Sequence, residues 1–198
     1  MWGNILKYVG VFAIAAGASI WIGQMGSKPV SPDFAFPFAA NAQEATETAE
    51  ATEIVVPDMT IGAEDAPISM IEYASFTCPH CASFHADQYK KLKENYIDTG
   101  KVKFTFREVY FDKYGMWASM IARCSGPDRF FGMTELIFHN QQTWARAGGD
   151  LEIVGELTKL GKIAGLSDDQ LQSCMQDADQ LRALVAWYQE NATRDEIQ

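Results

Sequence analysis

The run Cys78-Pro79-His80-Cys81 constrains this chain more than any other feature, because of where it falls. The segment before it, Pro67 to Phe76, is mostly apolar and reads as a buried strand. Pro79 suits the first position of a helix, so the segment from Pro79 to about Tyr96 is expected to be helical. Alternation along the strand puts Ile68, Met70, Glu72, Ala74 and Phe76 on one face. Gly100 ends the connection, and Lys101 to Arg107 alternates again: Val102, Phe104 and Phe106 on one side, Lys101, Lys103, Thr105 and Arg107 on the other. Strand, helix and strand within about forty residues predict a right-handed parallel unit.

The remainder reads as helical. Met116, Trp117, Met120, Ile121 and Cys124 form one stripe, broken by Ser125-Gly126-Pro127. A second helix is expected over Asp128–Asn140, and a third carries Leu151, Val154, Leu157 and Leu160. Ser167 caps a short fourth helix bearing Leu171, Cys174 and Met175. Leu181, Leu184, Val185 and Tyr188 fall at i, i+3, i+4 and i+7 of the last. With apolar residues at 47% and charged residues at 21%, the chain can bury a core. The expected architecture is α/β: a βαβ part over residues 57–111 and a helical subdomain over 112–198.

Residues 1–28 read as an export signal or membrane anchor. No charge lies between Lys7 and Lys28, and Tyr8 to Gly23 is almost wholly apolar. A spanning helix needs about 20 such residues, so the length suits either role. Ala16-Gly17-Ala18 and Ala40-Asn41-Ala42 are candidate cleavage sites, the second about twenty residues past the apolar run. Residues 29–56 are rich in proline, then in Ala, Thr and Glu, and read as a tether. The chain is expected to be exported to an oxidising compartment, either released by cleavage or held by its anchor.

The position of the cysteines gives their spacing its chemistry. Cys78 falls at a helix N-terminus, facing unpaired backbone N–H groups and the positive end of the helix dipole. Both favour a thiolate, the form that reacts in disulfide exchange. Cys81, one turn along, can close a small disulfide, and His80 projects beside the sulfur. A stabilised thiolate is a good leaving group, which would make the disulfide oxidising. Two other readings of the motif are half a zinc site and a structural staple. Zinc usually takes a second close pair, whereas Cys124 and Cys174 stand fifty residues apart. A staple over so short a loop restrains little of the unfolded chain.

Charge excludes one class of partner. The 16 basic residues include Lys7 and Lys28, and the 26 acidic ones include Asp33, which leaves 14 and 25 from Gln43 onward. Nothing in that balance offers the clustered positive charge that a phosphate backbone requires, so no nucleic-acid binding is expected.

The run Ile71-Glu72-Tyr73-Ala74-Ser75-Phe76-Thr77-Cys78-Pro79-His80-Cys81, with Phe84 following, resembles the active-site segment of DsbA-type thiol:disulfide oxidoreductases. Those are thioredoxin-like folds with an inserted helical domain, and the resemblance extends from about Met59 to the chain end. They are exported, so the resemblance implies that the compartment is the bacterial periplasm and that an uncleaved anchor would hold the chain to the inner membrane. It implies that Cys78 is the attacked, solvent-facing cysteine, Cys81 its buried partner and His80 the thiolate-stabilising histidine. By the same likeness, Glu72 is a buried acid that can relay a proton to Cys81. Its place on an apolar strand face agrees, since an unpaired carboxylate there would be costly. His85 falls where some relatives carry an acid, and no role is assigned to it. The resemblance implies no organic cofactor and no metal. It implies a monomer that acts on reduced or unfolded exported proteins and is reoxidised by a quinone-linked membrane oxidase.

Two further expectations follow. Cys124 and Cys174 each lie on the apolar stripe of a helix, and a second disulfide between them is expected, as in a subset of DsbA-like proteins. The family also carries a cis-proline opposite its active cysteines, followed by a β-hairpin and a final helix. The last proline here is Pro127, so the C-terminal ββα of the thioredoxin fold is expected to be missing from a truncated sequence. The strand ending at Phe76 would then lie at an open sheet edge, and the chain would fold poorly or react without substrate control. The alternative functions are a disulfide isomerase or reductase, and a binding or chaperone module whose CxxC holds metal or staples a helix.

Overall fold

Phe104 and Phe106 are fully buried because the strand that carries them is covered on both sides. In the computed structural model, which describes residues 54–197, β1 (Met59–Ile61), β2 (Ile68–Ala74) and β3 (Val102–Glu108) form one sheet of order β1-β3-β2. The apolar N-terminal segment and the Ala/Thr/Glu stretch up to residue 53 lie outside the described residues.

Strand β3 pairs antiparallel with β1, Met59 opposite Phe106, and parallel with β2, Ile68 opposite Val102 and Ala74 opposite Glu108. The parallel pairing is the one that the strand–helix–strand order predicts. Gly62 makes the turn after β1 at φ +109°, where a Cβ would stand 2.4 Å from the carbonyl oxygen of Val102, so only glycine fits. The crossover consists of α1 (Pro79–Leu92) and a π-helical turn at Lys93–Ile97. Beyond β3 the chain forms α2 (Lys113–Cys124), α3 (Pro127–His139), α4 (Gln141–Trp144), α5 (Asp150–Ile163), α6 (Asp168–Gln176) and α7 (Ala178–Arg194).

The α/β architecture with a helical subdomain is therefore present. Helix α3 packs on α1 and gives Phe130, Met133, Ile137 and Phe138 to a core shared with Phe76, Tyr89, Phe104 and Phe106. Burial of a phenylalanine contributes on the order of 1.5–3 kcal/mol, so this cluster is what joins the two parts. Trp144 is also buried, its indole N–H donating to the Ile137 carbonyl at 2.9 Å. Ser167 caps α6 through a reciprocal capping box with Gln170.

Two charged clusters tie helices to the sheet. Glu108 is buried and accepts two N–H groups from Arg123 at 2.6 and 2.7 Å, while the Ser119 hydroxyl donates to it at 3.0 Å. Removing one partner of such a pair costs about 3–5 kcal/mol. Arg107 donates to Asp58 at 2.9 and 2.7 Å, to the Tyr73 hydroxyl at 2.8 Å and to Asp195 at 2.7 Å. Tyr73 donates to Asp195 in turn, so β2, β3 and the end of α7 share one network.

Two expectations about burial are corrected. The segment Pro67–Phe76 is not buried throughout: Ile68, Met70 and Ile71 are 52%, 38% and 43% exposed. Among the described residues β2 pairs only with β3 and forms the edge of the sheet, so its first half lacks a second neighbour. The stripe on α5 runs through Ile153, Leu157 and Leu160, leaving Val154 half-buried and Leu151 85% exposed. Leu151 sits in the first turn of α5, where the side chain projects toward the helix N-terminus and past the packed face. Among the described residues no helix is long and apolar enough to cross a membrane.

Candidate active site

The end of β2 delivers Ser75 and Phe76 into the core and then turns through Thr77 into α1. Cys78 is the N-cap of that helix, in extended conformation at φ −76° and ψ 117°, with Pro79 at the first helical position. Its Sγ accepts the backbone N–H of Cys81 at 3.3 Å, which satisfies one of the donors that a helix N-terminus leaves open. A sulfur in this position meets a hydrogen-bond donor and the positive end of the dipole together.

Cys78 and Cys81 are both unbridged and partly buried, so hydrogen bonding separates them more than exposure does. Burial above all, and then contact with Cys78, pushes the Cys81 thiol up to about 12, and the charge of Glu72 acts in the same direction. Cys81 thus holds its proton where Cys78 receives an N–H. His80, at the second helical position, is exposed.

Glu72 lies beneath this turn on β2, its side chain 14% exposed, and its partner is His85. The His85 Nε2 lies 3.2 and 3.0 Å from the two carboxylate oxygens of Glu72. His85 itself is only 4% exposed, stacked on Phe138 at 4.4 Å and tilted against Tyr89 at 4.6 Å. The strand alternation placed Glu72 on this face; the pairing with His85, one helical turn past Cys81, had no signal beyond their shared proximity to the motif.

Two residues that sequence reasoning missed hold the loop. Gln141, buried at 2% exposure, donates through Nε2 to the carbonyls of Phe76 at 2.8 Å and Cys78 at 2.9 Å. Asp112 caps α2 through the N–H groups of Tyr114 and Gly115 and also accepts the Thr77 hydroxyl at 2.7 Å. The helical subdomain therefore grips the reactive turn from two directions. Far from this turn, Cys124 and Cys174 are joined in a disulfide that links α2 to α6, with their Cα atoms 6.0 Å apart. Among the described residues no group of three or more His, Cys, Asp or Glu side chains could hold a metal ion.

Comparison with known proteins places this geometry among relatives. A family model described as Thioredoxin matches residues 55–198. A putative protein-disulfide oxidoreductase of Rickettsia bellii is 34% identical over 130 residues, 65% of this chain and 49% of that protein. Disulfide bond formation protein D of Bacillus subtilis is 32% identical over 107 residues, 50% of this chain and 46% of that protein. The chain thus spans about half the length of these relatives. Among solved structures, Wolbachia pipientis alpha-DsbA1 superposes with a TM-score of 0.67 at 30% identity, over 75% of this chain and 74% of that one. Oxidised BdbD of Bacillus subtilis superposes with a TM-score of 0.62 at 25% identity, over 71% and 77% respectively.

Proposed function

Because the chain belongs to the thioredoxin family, and within it to the DsbA-type proteins, we propose that it is an exported thiol:disulfide oxidoreductase that donates its Cys78–Cys81 disulfide to folding proteins. The observation that carries this reading is the asymmetry of the cysteine pair. The Sγ of Cys78 accepts a helix N-terminal N–H, while the Cys81 thiol is held protonated.

In the forward reaction a substrate thiolate attacks the Sγ of Cys78 and forms a mixed disulfide. The Cys78–Cys81 bond breaks, and its electron pair leaves on Cys81, which takes up a proton. A second substrate thiolate attacks the substrate sulfur of the mixed disulfide and expels Cys78 as a thiolate. The substrate loses two electrons and the cysteine pair gains them. In this scheme the N–H of Cys81 stabilises the departing Cys78 sulfur, and His80, exposed beside it, favours the same charge. Reduced exported proteins are the substrate class, and a quinone-linked membrane oxidase restores the disulfide. The periplasm is the compartment that fits this chemistry.

The test uses the oxidised full chain and a reduced peptide with two cysteines, with the peptide disulfide followed by mass. Stoichiometric oxidation that Cys78→Ser abolishes is the expected result. Oxidation that survives this substitution, or none by the unaltered chain, would overturn the reading.

A further inference from the structure

The turn that leads into Cys78 is held by side-chain hydrogen bonds that run in one direction. The Thr77 hydroxyl donates to Asp112 Oδ2 at 2.7 Å. Its one proton is spent there, so in the 3.0 Å contact between the Ser75 and Thr77 hydroxyls the donor is Ser75. Ser75 Oγ also accepts the Thr77 backbone N–H at 3.3 Å. Ser75 is buried, and the first turn of α2 presses against it: a Cβ on Gly115 would stand 3.1 Å from Ser75 Oγ and 3.6 Å from Thr77 Oγ1. The other oxygen of Asp112 is held separately by the N–H groups of Tyr114 and Gly115, at 2.8 and 2.9 Å. The chain Ser75–Thr77–Asp112 thus ends on a carboxylate that α2 keeps in place. Hydrogen bonds to an ionised acceptor are about twice as strong as neutral ones.

Ser75 in turn meets both cysteines. Its carbonyl accepts the Cys78 N–H at 3.0 Å, and its own N–H is directed at the Cys81 sulfur, where it works against the effect of burial. In the disulfide, the covalent bond itself keeps the Cys78 sulfur in position. In the dithiol, as in this structure, the turn must keep that sulfur on the Cys81 N–H, 3.3 Å away. Loss of the hydrogen-bond chain therefore costs the dithiol more than the disulfide.

We infer that Asp112 is a positioning residue for disulfide exchange: through Thr77 and Ser75 it holds the reactive turn in the geometry that favours the dithiol, and so makes the Cys78–Cys81 disulfide a stronger oxidant. The inference rests on the proposed exchange at Cys78 and Cys81, but its test needs no protein substrate.

The test is the equilibrium of the full chain with glutathione. Two glutathione thiols pass two electrons and two protons to the Cys78–Cys81 disulfide, leaving the dithiol and one glutathione disulfide. Acid quenching, alkylation and peptide mass then report Cys78 and Cys81 separately from Cys124 and Cys174. Thr77→Val removes the hydroxyl but keeps the side-chain shape, the Asp112 carboxylate and the cap of α2. It should move the equilibrium about three- to tenfold toward the disulfide, the size expected when a partly exposed hydrogen bond to a charged group is lost chiefly from one form. Thr77→Ser keeps the hydroxyl and should stay within about twofold of the unaltered chain. Asp112→Ser still caps α2 but is too short to hold Thr77, so in that background Thr77→Val should have less than about a twofold effect.

An equilibrium that Thr77→Val does not move would overturn the inference. So would a shift of the same size from Thr77→Ser, or from Thr77→Val in the Asp112→Ser background. A brace acting on both forms alike would lower both urea midpoints and leave this equilibrium where it is. Failure of the proposed function would look different, as an ordinary glutathione equilibrium with no oxidation of the two-cysteine peptide.

Discussion

The side-chain amide of Gln141 lies 2.9 Å from the backbone carbonyl of Cys78, across 63 residues of sequence. A four-residue helix of the helical subdomain thereby holds the residue that caps the reactive helix. Gln141→Leu removes the donor and leaves the buried Phe76 carbonyl without it. The expected cost is about 1–3 kcal/mol in the urea unfolding of both the dithiol and disulfide forms, with slower peptide oxidation. An unchanged midpoint in both forms would show that the contact is incidental.

The raised Cys81 thiol makes a prediction at high pH. A thiol held above its ordinary value of 9.0, here to about 12, remains protonated in the native chain at a pH where the unfolded chain has lost the proton. Its contribution to stability is therefore present in full below pH 9 and is lost as pH rises toward 12. The dithiol form should lose stability over that window more steeply than Cys81→Ala. Burial also raises Tyr89 and Tyr110, but both remain in the variant and cancel in the difference. Parallel curves would sink the prediction.

The network around Arg107 predicts the opposite sign in acid. Hydrogen bonds from Arg194, then from Tyr73, hold the Asp195 carboxyl at about 2, below its ordinary 3.8. The stability it contributes is present above pH 4 and disappears as pH falls toward 2. Urea midpoints measured from pH 5 to pH 2 should drop less for Asp195→Asn than for the unaltered chain. A drop of the same size would show that ionised Asp195 adds nothing to stability in this range.

The bridge between Cys124 and Cys174 closes a loop of 50 residues. On loop entropy, the double variant Cys124→Ala/Cys174→Ala should lose about 4 kcal/mol of stability, and measured bridges typically give about 2–4. Peptide oxidation through Cys78 should persist, because neither residue touches the reactive turn. Loss of oxidation with the fold intact, judged by circular dichroism, would contradict that separation.

What was legible in the sequence follows from period and punctuation. Phe104 and Phe106 alternate with polar residues, and Pro79 and Ser167 mark helix starts, so β3, α1 and α6 could be read directly. Gln141 and Asp112 could not, because a polar residue's value as a brace depends on where two distant segments meet. Trp144 was also missed, since α4 is shorter than the window in which helical periodicity shows. Leu151 misled for the reverse reason: it fits the spacing of α5 but lies at the helix end, beyond the packed face. His85 was visible as a residue at a position where some relatives carry an acid, but with no role, and three aromatic rings and a carboxylate on other turns and elements give it its surroundings.

The placement of the four cysteines also separates two kinds of sulfur chemistry. Four thiols allow three pairings, and only one of them joins α2 to α6 while leaving Cys78 beside Cys81. A bridge held between two helices keeps its own sulfurs out of exchange, so the fold carries one permanent link and one pair left free to react.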